Sequence, residues 1–485
     1  MGGNYEKGIY NQLVEVMERL DSFEKKHHLE VGRLNEEISQ LKSENSKLKK
    51  ENQLLKEDNA RLKSIINNDS SNSSLPPSRD RKGTKAANQY NGRTQSGNKV
   101  GGQEGHTGTT LTKIEVEEKI RSGKIKHEIR TLGNVMSSRY VTKYVVDLDV
   151  IPKVTELRIY ADNDGKVHIP PQYRSDVIYG ANVKALAVSL YSEGVMSNDR
   201  IAAFLNAASG DMLGLSEGSV YSFCKRLADV SKASIERLEK HLLNQKSIAT
   251  DATPVTVNGK QKHIRNFSVS DTVVYKAMSG KAIAALEKIE IMKQYAGIFI
   301  HDHETALYRF GSDHGECNVH LLRYLKKNTE ETKNKWSEEM SGLLLEMKQK
   351  KAEQMGLKRT SFENEVLSEY EKRYREMIEK GLKENRNTSH RYAKMEEKTL
   401  LNRLEKYAHN HLLFIHDFAV PFDNNISERD LRKAKNRQKM AGGFRKDSGN
   451  EMYCSILTVI ETLKRRKMPI LAGLKKLFMG TPAIF

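Results

Sequence analysis

"SIATDATPVTVNGKQKHIRNFSVSDTVVYKAMS", residues 247–279, decides the fold class. It divides into three short runs, "SIATDATPVTV", "HIRNFSVS" and "TVVYKAMS", rich in Val, Ile, Thr and aromatic residues. Asn258-Gly259 and Ser270-Asp271 separate them with the residue types that tight turns require. Three antiparallel strands are predicted. Downstream, "KAIAALEKIEIMKQY" (281–295) has helical periodicity, and "AGIFIHDH" (296–303) is an apolar strand ending in charge. Three antiparallel strands, a helix and a further strand make a mixed α/β sheet.

Two acids sit on these strands. Asp251 lies inside the first, and Asp302 stands at the polar end of "GIFIH". If the two strands are neighbours, their backbones run about 4.8 Å apart, and both carboxylates share one pole of the sheet. Like charges that close are costly without compensation. Divalent cations supply it, and hard oxygen ligands suit Mg²⁺ or Mn²⁺. A third carboxylate on a later helix would complete a two-ion site for phosphoryl displacement, with ions about 3.5–4 Å apart. The segment "PFDNNISERDLRKAKNRQKMAGGFRKD" (421–447) offers Glu428, followed by eight Lys and Arg. Glu428 can complete the metal site while Arg429, Arg432, Lys433, Lys435 and Arg437 run on towards substrate phosphates. A plainer reading also fits, because Asn425 and Glu428 have the spacing of a capping box. Glu304 and Asp313 are alternatives to Asp302, although neither ends an apolar strand.

The rest of the chain supplies context. At 485 residues it is long enough for two or three domains, and its net charge of +18 favours a polyanionic partner. Half of that excess lies beyond Asn424, where 14 Lys/Arg stand against 5 Asp/Glu. Leucines at 13, 20, 34, 41, 48, 55 and 62 mark the d positions of a heptad that His27 interrupts. Val31, Ile38, Asn45, Asn52, Asn59 and Ile66 fill a. Glu37, Glu44, Glu51 and Asp58 at g face Lys42, Lys49, Lys56 and Lys63 at e of a parallel partner, so residues 1–66 are expected to form a parallel coiled-coil homodimer or part of a larger homo-oligomer. Residues 67–110, rich in Ser, Asn, Gly and Pro, read as a flexible basic linker. Residues 111–179 read as a small β-rich region, and 180–244 as a helical domain with a helix-turn-helix outline. The sheet domain begins at 245 and runs to 325. A charged helical insertion follows over 326–411, then the Glu428 segment over 412–445 and a basic helical region over 446–485.

Several function classes find no support. There is no GxxxxGK[ST] loop for a nucleoside triphosphate. Cys317 and His320 in "CNVH" are half of a zinc site with no second cysteine pair. Cys224, Cys317 and Cys454 are scattered, which suggests a reducing compartment. No apolar run approaches the length of a membrane span, and the N-terminus carries no apolar signal segment, so a cytoplasmic, nucleoid-associated protein is expected.

"NSSLPPS" (72–78), "GGQEGHTG" (101–108), "ATDATPVTV" (249–257), "IHDHETALY" (300–308), "CNVHLLRYL" (317–325) and "DNNISERDLR…AGGFRKDSGNE" (423–451) follow one another in the order of known motifs. In these the chain resembles the insertion sequence 66 family of transposases, from about Asn67 to Leu477. The resemblance implies a multidomain α/β protein with an RNase H-like catalytic domain, and a DDE triad of Asp251, Asp302 and Glu428 holding two Mg²⁺ or Mn²⁺ ions. It places His320 and Arg323 as supports beside that site. The implied activity is cleavage of double-stranded DNA at element ends and strand transfer into target DNA, alone or with accessory proteins. An RNase H-like nuclease without strand transfer and a non-catalytic coiled-coil DNA-binding regulator are the rival readings. Relatives carry cysteine pairs after the glycine-rich motif, whereas residues 111–175 contain no Cys, so no zinc is expected.

Overall fold

The computed structural model describes residues 3–68, 111–132, 141–148, 150–481 and 484–485. The expected linker therefore lies almost wholly outside the described residues. The chain divides into two units, one of Met1–Tyr90, His320–Lys350 and Glu363–Ala408, the other of Asn91–Val319, Lys351–Phe362 and His409–Phe485.

The first unit is helical. It holds α1 (Gly3–Asn67), most of α9 (Asn318–Thr332) and of α10 (Trp336–Gly356), α11 (Asn364–Arg386) and α12 (Arg391–Lys406). The heptad leucines of α1 are exposed, while Ser64 near its end is buried and Glu57 lies 3.8 Å from Arg391 on α12. The other helices pack around a buried carboxylate. Glu397 accepts from Trp336 Nε1 at 2.6 Å and Asn334 Nδ2 at 2.7 Å on one oxygen, and from Asn385 Nδ2 at 2.8 Å on the other. Each lone pair that burial strips of water is thus met by a protein donor.

The second unit is built on a five-stranded sheet in the order β3-β2-β1-β4-β5. Its strands are β1 (Ser247–Val257), β2 (Lys260–Ser268), β3 (Val273–Met278), β4 (Ile298–His301) and β5 (Asp313–Glu316). β1, β2 and β3 run antiparallel, and β4 and β5 join parallel to β1. The three predicted strands and the fourth are all present. Alternation along the strands sorts side chains onto two faces. Val255, Val257, Ile264, Val273 and Tyr275 face one helical layer, which contains α3 (Ala181–Glu193), α4 (Asn198–Ala208), α5 (Glu217–Val230), α14 (Asn425–Ala441), α15 (Asp447–Arg465) and α16 (Ile470–Phe478). Ile248, Phe267, Val274, Met278 and Phe299 face the other, with α6 (Lys232–Leu243), α7 (Ile283–Leu286) and α8 (Glu290–Gln294). Lys113–Arg121 forms α2 and Ala408–His416 forms α13.

Two expectations change. The single helix over 281–295 is two short helices, because Leu286, Ile289, Ile291 and Met292 are all buried and one straight helix cannot turn those four positions to one face. The β-rich region over 111–179 is corrected as well. Its described residues form α2 and a 3₁₀ turn at Pro171–Tyr173, with no strand among them. Val141, Val145, Leu148 and Leu157, in the runs that read as strands, stand exposed, and a strand without a paired neighbour has nothing to satisfy its ladder.

Candidate active site

β1 and β4 pair through Ala249 and Ile300. Asp302 follows directly after β4, two residues beyond that last pair, and its charge reaches Asp251. On β1 the odd positions share the face of Val255 and Val257, so Asp251 points to the layer that contains α14. Burial, and next the charge of Asp302, raise the Asp251 carboxyl to about 6. Lys281, the Ala252 N–H at 2.6 Å and Lys435 pull it down without cancelling the rise. Two clustered carboxylates with an uncompensated repulsion and hard oxygen donors fit a divalent cation of the Mg²⁺ class.

The turn after β4 is pinned from both sides. Arg265, fully buried, donates from Nη2 to both oxygens of Glu304 at 2.6 and 2.7 Å and from Nη1 to Thr250 Oγ1 at 3.1 Å. The buried Glu316 carboxylate lies 2.5 Å from His303 Nδ1. Burial, with His314 adding to it, lowers His301 to about 3 and keeps it neutral, so its Nδ1 can accept the Glu304 N–H at 3.2 Å. Glu304, an alternative ligand on sequence grounds, is held by Arg265, and Lys281 lies 3.7 Å beyond it. Asp313, the other alternative, lies 2.8 Å from His409 Nε2. A carboxylate oxygen of Asp302 is within 4.8 Å of Cys317 Sγ.

Glu428 stands in the first turn of α14. The helix is capped by Asn424, without any side-chain cap hydrogen bond. The capping box of Asn425 and Glu428 does not form, since Asn425 is already helical and Glu428 falls one position beyond N3. α14 docks through two buried asparagines. Asn266, opposite Asp251 in the β1–β2 register, accepts the Asp251 N–H at 3.1 Å and the Ser427 hydroxyl at 2.7 Å, and donates to the Ser427 carbonyl at 3.0 Å. Asn424 Nδ2 donates to Thr250 O at 3.0 Å and Asp302 Oδ1 at 3.2 Å. Asp251, Asp302 and Glu428 are thus gathered onto adjoining elements. Asn424 falls within the motif that begins at Asp423, whereas no sequence motif marks Asn266 or Arg265; only the strand register, once known, could have found those two.

The basic residues of α14 separate by face. Arg429 and Arg432 are exposed, and Lys435 is close enough to act on Asp251. Lys433 Nζ is 3.2 Å from both oxygens of Glu193, and the Arg437 guanidinium lies 4.4 Å from the Tyr191 ring centre. His320 and Arg323 lie one turn apart on α9, in the helical unit, with His320 Nε2 3.3 Å from Arg323 Nη1.

A mixed five-stranded sheet with an acid inside its central strand, a second acid just after the neighbouring parallel strand, and a basic helix docked on the central strands makes this an α/β protein with an acidic site beside a basic helix. The family model described as Transposase IS66 family matches residues 176–452, more than half of the chain, and the chain belongs to that family. No curated protein matches it. Among the described residues no helix is long and apolar enough to cross a membrane.

Proposed function

We propose that this transposase cuts DNA at the ends of its own element and joins the freed 3′ ends to target DNA, using Asp251, Asp302 and Glu428 in an RNase H-like domain. The observation that carries the reading is the strand order β3-β2-β1-β4-β5, with Asp251 on the central strand β1 and Asp302 directly after the neighbouring parallel strand β4. That antiparallel-then-parallel order is the one an RNase H-like sheet requires. The three carboxylates would hold two Mg²⁺ or Mn²⁺ ions, which when bound stabilise charge on the attacking and leaving oxygens. The protein's own part is placement. Arg429, Arg432 and Lys435 meet the phosphates, and the pinned turn at His303 and Glu304 fixes Asp302 against β1.

The test is cleavage of end-labelled element DNA in Mg²⁺ by the parent and by Asp251→Asn, Asp302→Asn and Glu428→Gln. All three variants should bind DNA and fail to cut. A variant that cuts like the parent removes its residue from the site. Strand transfer of a pre-cleaved end separates a transposase from a nuclease, and parent protein that binds but never nicks would be a regulator.

A further inference from the structure

The three acids ride on three separate elements, and metal binding would require their separations to hold within fractions of an ångström. Two side chains span the gaps. Asn266 is fully buried and uses its whole amide capacity. It accepts from the Asp251 N–H and the Ser427 hydroxyl, and it donates to the Ser427 carbonyl and to Ser268 Oγ at 3.0 Å. One residue thereby joins the backbone of Asp251 to the residue preceding Glu428. Asn424, also fully buried, does the same for the other pair. Its Nδ2 bridges the carbonyl preceding Asp251 and the carboxylate of Asp302, its N–H meets Cys317 Sγ at 3.3 Å, and its carbonyl accepts the Glu428 N–H at 3.2 Å. The Asn424 Oδ1 has no hydrogen-bond partner although it is buried. An orphaned acceptor of that kind is costly, and it is tolerated where the donor side of the amide is needed.

We propose that Asn266 and Asn424 are positioning residues, whose amides set the mutual spacing of Asp251, Asp302 and Glu428 that a pair of divalent cations needs. The inference rests on the three-carboxylate reading above. An aspartate in either place could not donate from Nδ2, and an alanine would remove the amide bonds that tie the Ser427 carbonyl to Asn266 and the Thr250 carbonyl and Asp302 carboxylate to Asn424. Asn266 holds the backbone of Asp251 and Asn424 holds the carboxylate of Asp302, so the effect should appear in metal affinity before it appears in the chemistry.

The experiment uses the full chain with element-end DNA. Asn266→Ala, Asn424→Ala and Ser427→Ala are compared with the parent by calorimetric titration of Mn²⁺, by the Mg²⁺ concentration for half-maximal cleavage, and by thermal melting. Metal affinity should fall roughly tenfold or more, as for lost partners of metal-binding groups, with DNA affinity unchanged and cleavage partly restored by excess Mg²⁺. Ser427→Ala removes a single bond from Asn266 at little cost in volume, and it carries the test if Asn266→Ala does not fold. Folded variants with the parent's metal affinity and half-saturating Mg²⁺ overturn the inference, as does a loss of melting temperature and maximal rate without a shift in metal response. Asp251→Asn, Asp302→Asn and Glu428→Gln run alongside. If those cut normally the site reading has failed, whereas if they are dead and the asparagine variants respond to metal like the parent, only the positioning role has failed.

Discussion

Asp251 sits where burial and a neighbouring carboxylate act in the same direction, and the consequence is measurable without any substrate. Its carboxyl titrates near 6 in the folded chain, against about 3.9 when unfolded. A raised folded value means that the protonated form is favoured, so its contribution to stability is fully present below about pH 4 and is lost as pH rises through 6. In metal-free protein at pH 7.5, Asp251→Asn should therefore raise stability by on the order of 2 kcal/mol. The gain should vanish by pH 4, and Mg²⁺ should raise the melting temperature of the parent but not of the variant. A pH-independent difference would show that Asp251 is neither buried nor held near Asp302 in the folded chain. Single residues of α14 differ in the same local way. Arg432 is exposed and Lys435 acts on Asp251, but Lys433 is held by Glu193. Arg432→Ala and Lys435→Ala should each flatten the dependence of log affinity on log salt by about 0.9. Lys433→Ala should leave that slope alone and lower the melting temperature instead. Equal effects from all three would return Lys433 to the DNA-facing set.

α14 is positioned at both ends, and its fastenings separate what the sequence shows from what it hides. Asp430 is buried, accepts from Ser268 Oγ at 2.5 Å and pairs with Arg465 on α15, so it holds the helix to the sheet. Asp430→Asn should cost about 3 kcal/mol by leaving Arg465 half-paired in the interior, read by chemical denaturation. After α14 the chain turns through Gly443 at φ +137°, where a Cβ would lie 2.4 Å from Thr256 O, and Phe444 then pairs with β1 through Thr256 O and the Asn258 N–H. Gly443→Ala should destabilise by about 2 kcal/mol; a neutral result would mean that this junction yields freely. The strands of the sheet were legible because period-two alternation and turn residues are local signals, and Asp251 and Asp302 were legible because they end or interrupt apolar runs. The fastenings were not. The basic run at 464–466 counts towards a DNA-facing charge in any tally, yet Lys464 reaches Glu193, Arg465 reaches Asp430 and Arg466 reaches Asp271. Charge composition cannot distinguish a cation aimed at phosphate from one paired across the core. The β-rich reading of 111–179 is not matched by a strand among its described residues, for the related reason that a strand is made by its neighbour as much as by its own residues.

At the scale of the whole molecule, α1 presents an apolar seam that its own chain leaves exposed. Leu13 is 57% exposed, Leu34 47% and Leu48 63%, all on one heptad register, and such a row in a single helix needs a partner to leave water. A second copy fits the charges. Glu37, Glu44, Glu51 and Asp58 at g meet Lys42, Lys49, Lys56 and Lys63 at e only when the helices run parallel and in register. Asn45, Asn52 and Asn59 at a favour two strands, because each amide can meet its twin while a higher oligomer would bury it less well. Pairing through α1 would bring two copies of the chain into one assembly. The end of α1 has a different task, since Glu57 lies beside Arg391 and Ser64 is buried. Removing residues 1–50 should therefore lower the mass measured by light scattering to that of one chain while the folded units keep their melting temperatures. Replacing Asn45, Asn52 and Asn59 with Ile in the full chain should raise the stability of the assembly and admit trimers or tetramers. A deletion variant that keeps the parent's oligomeric mass would move the principal contact between copies off α1.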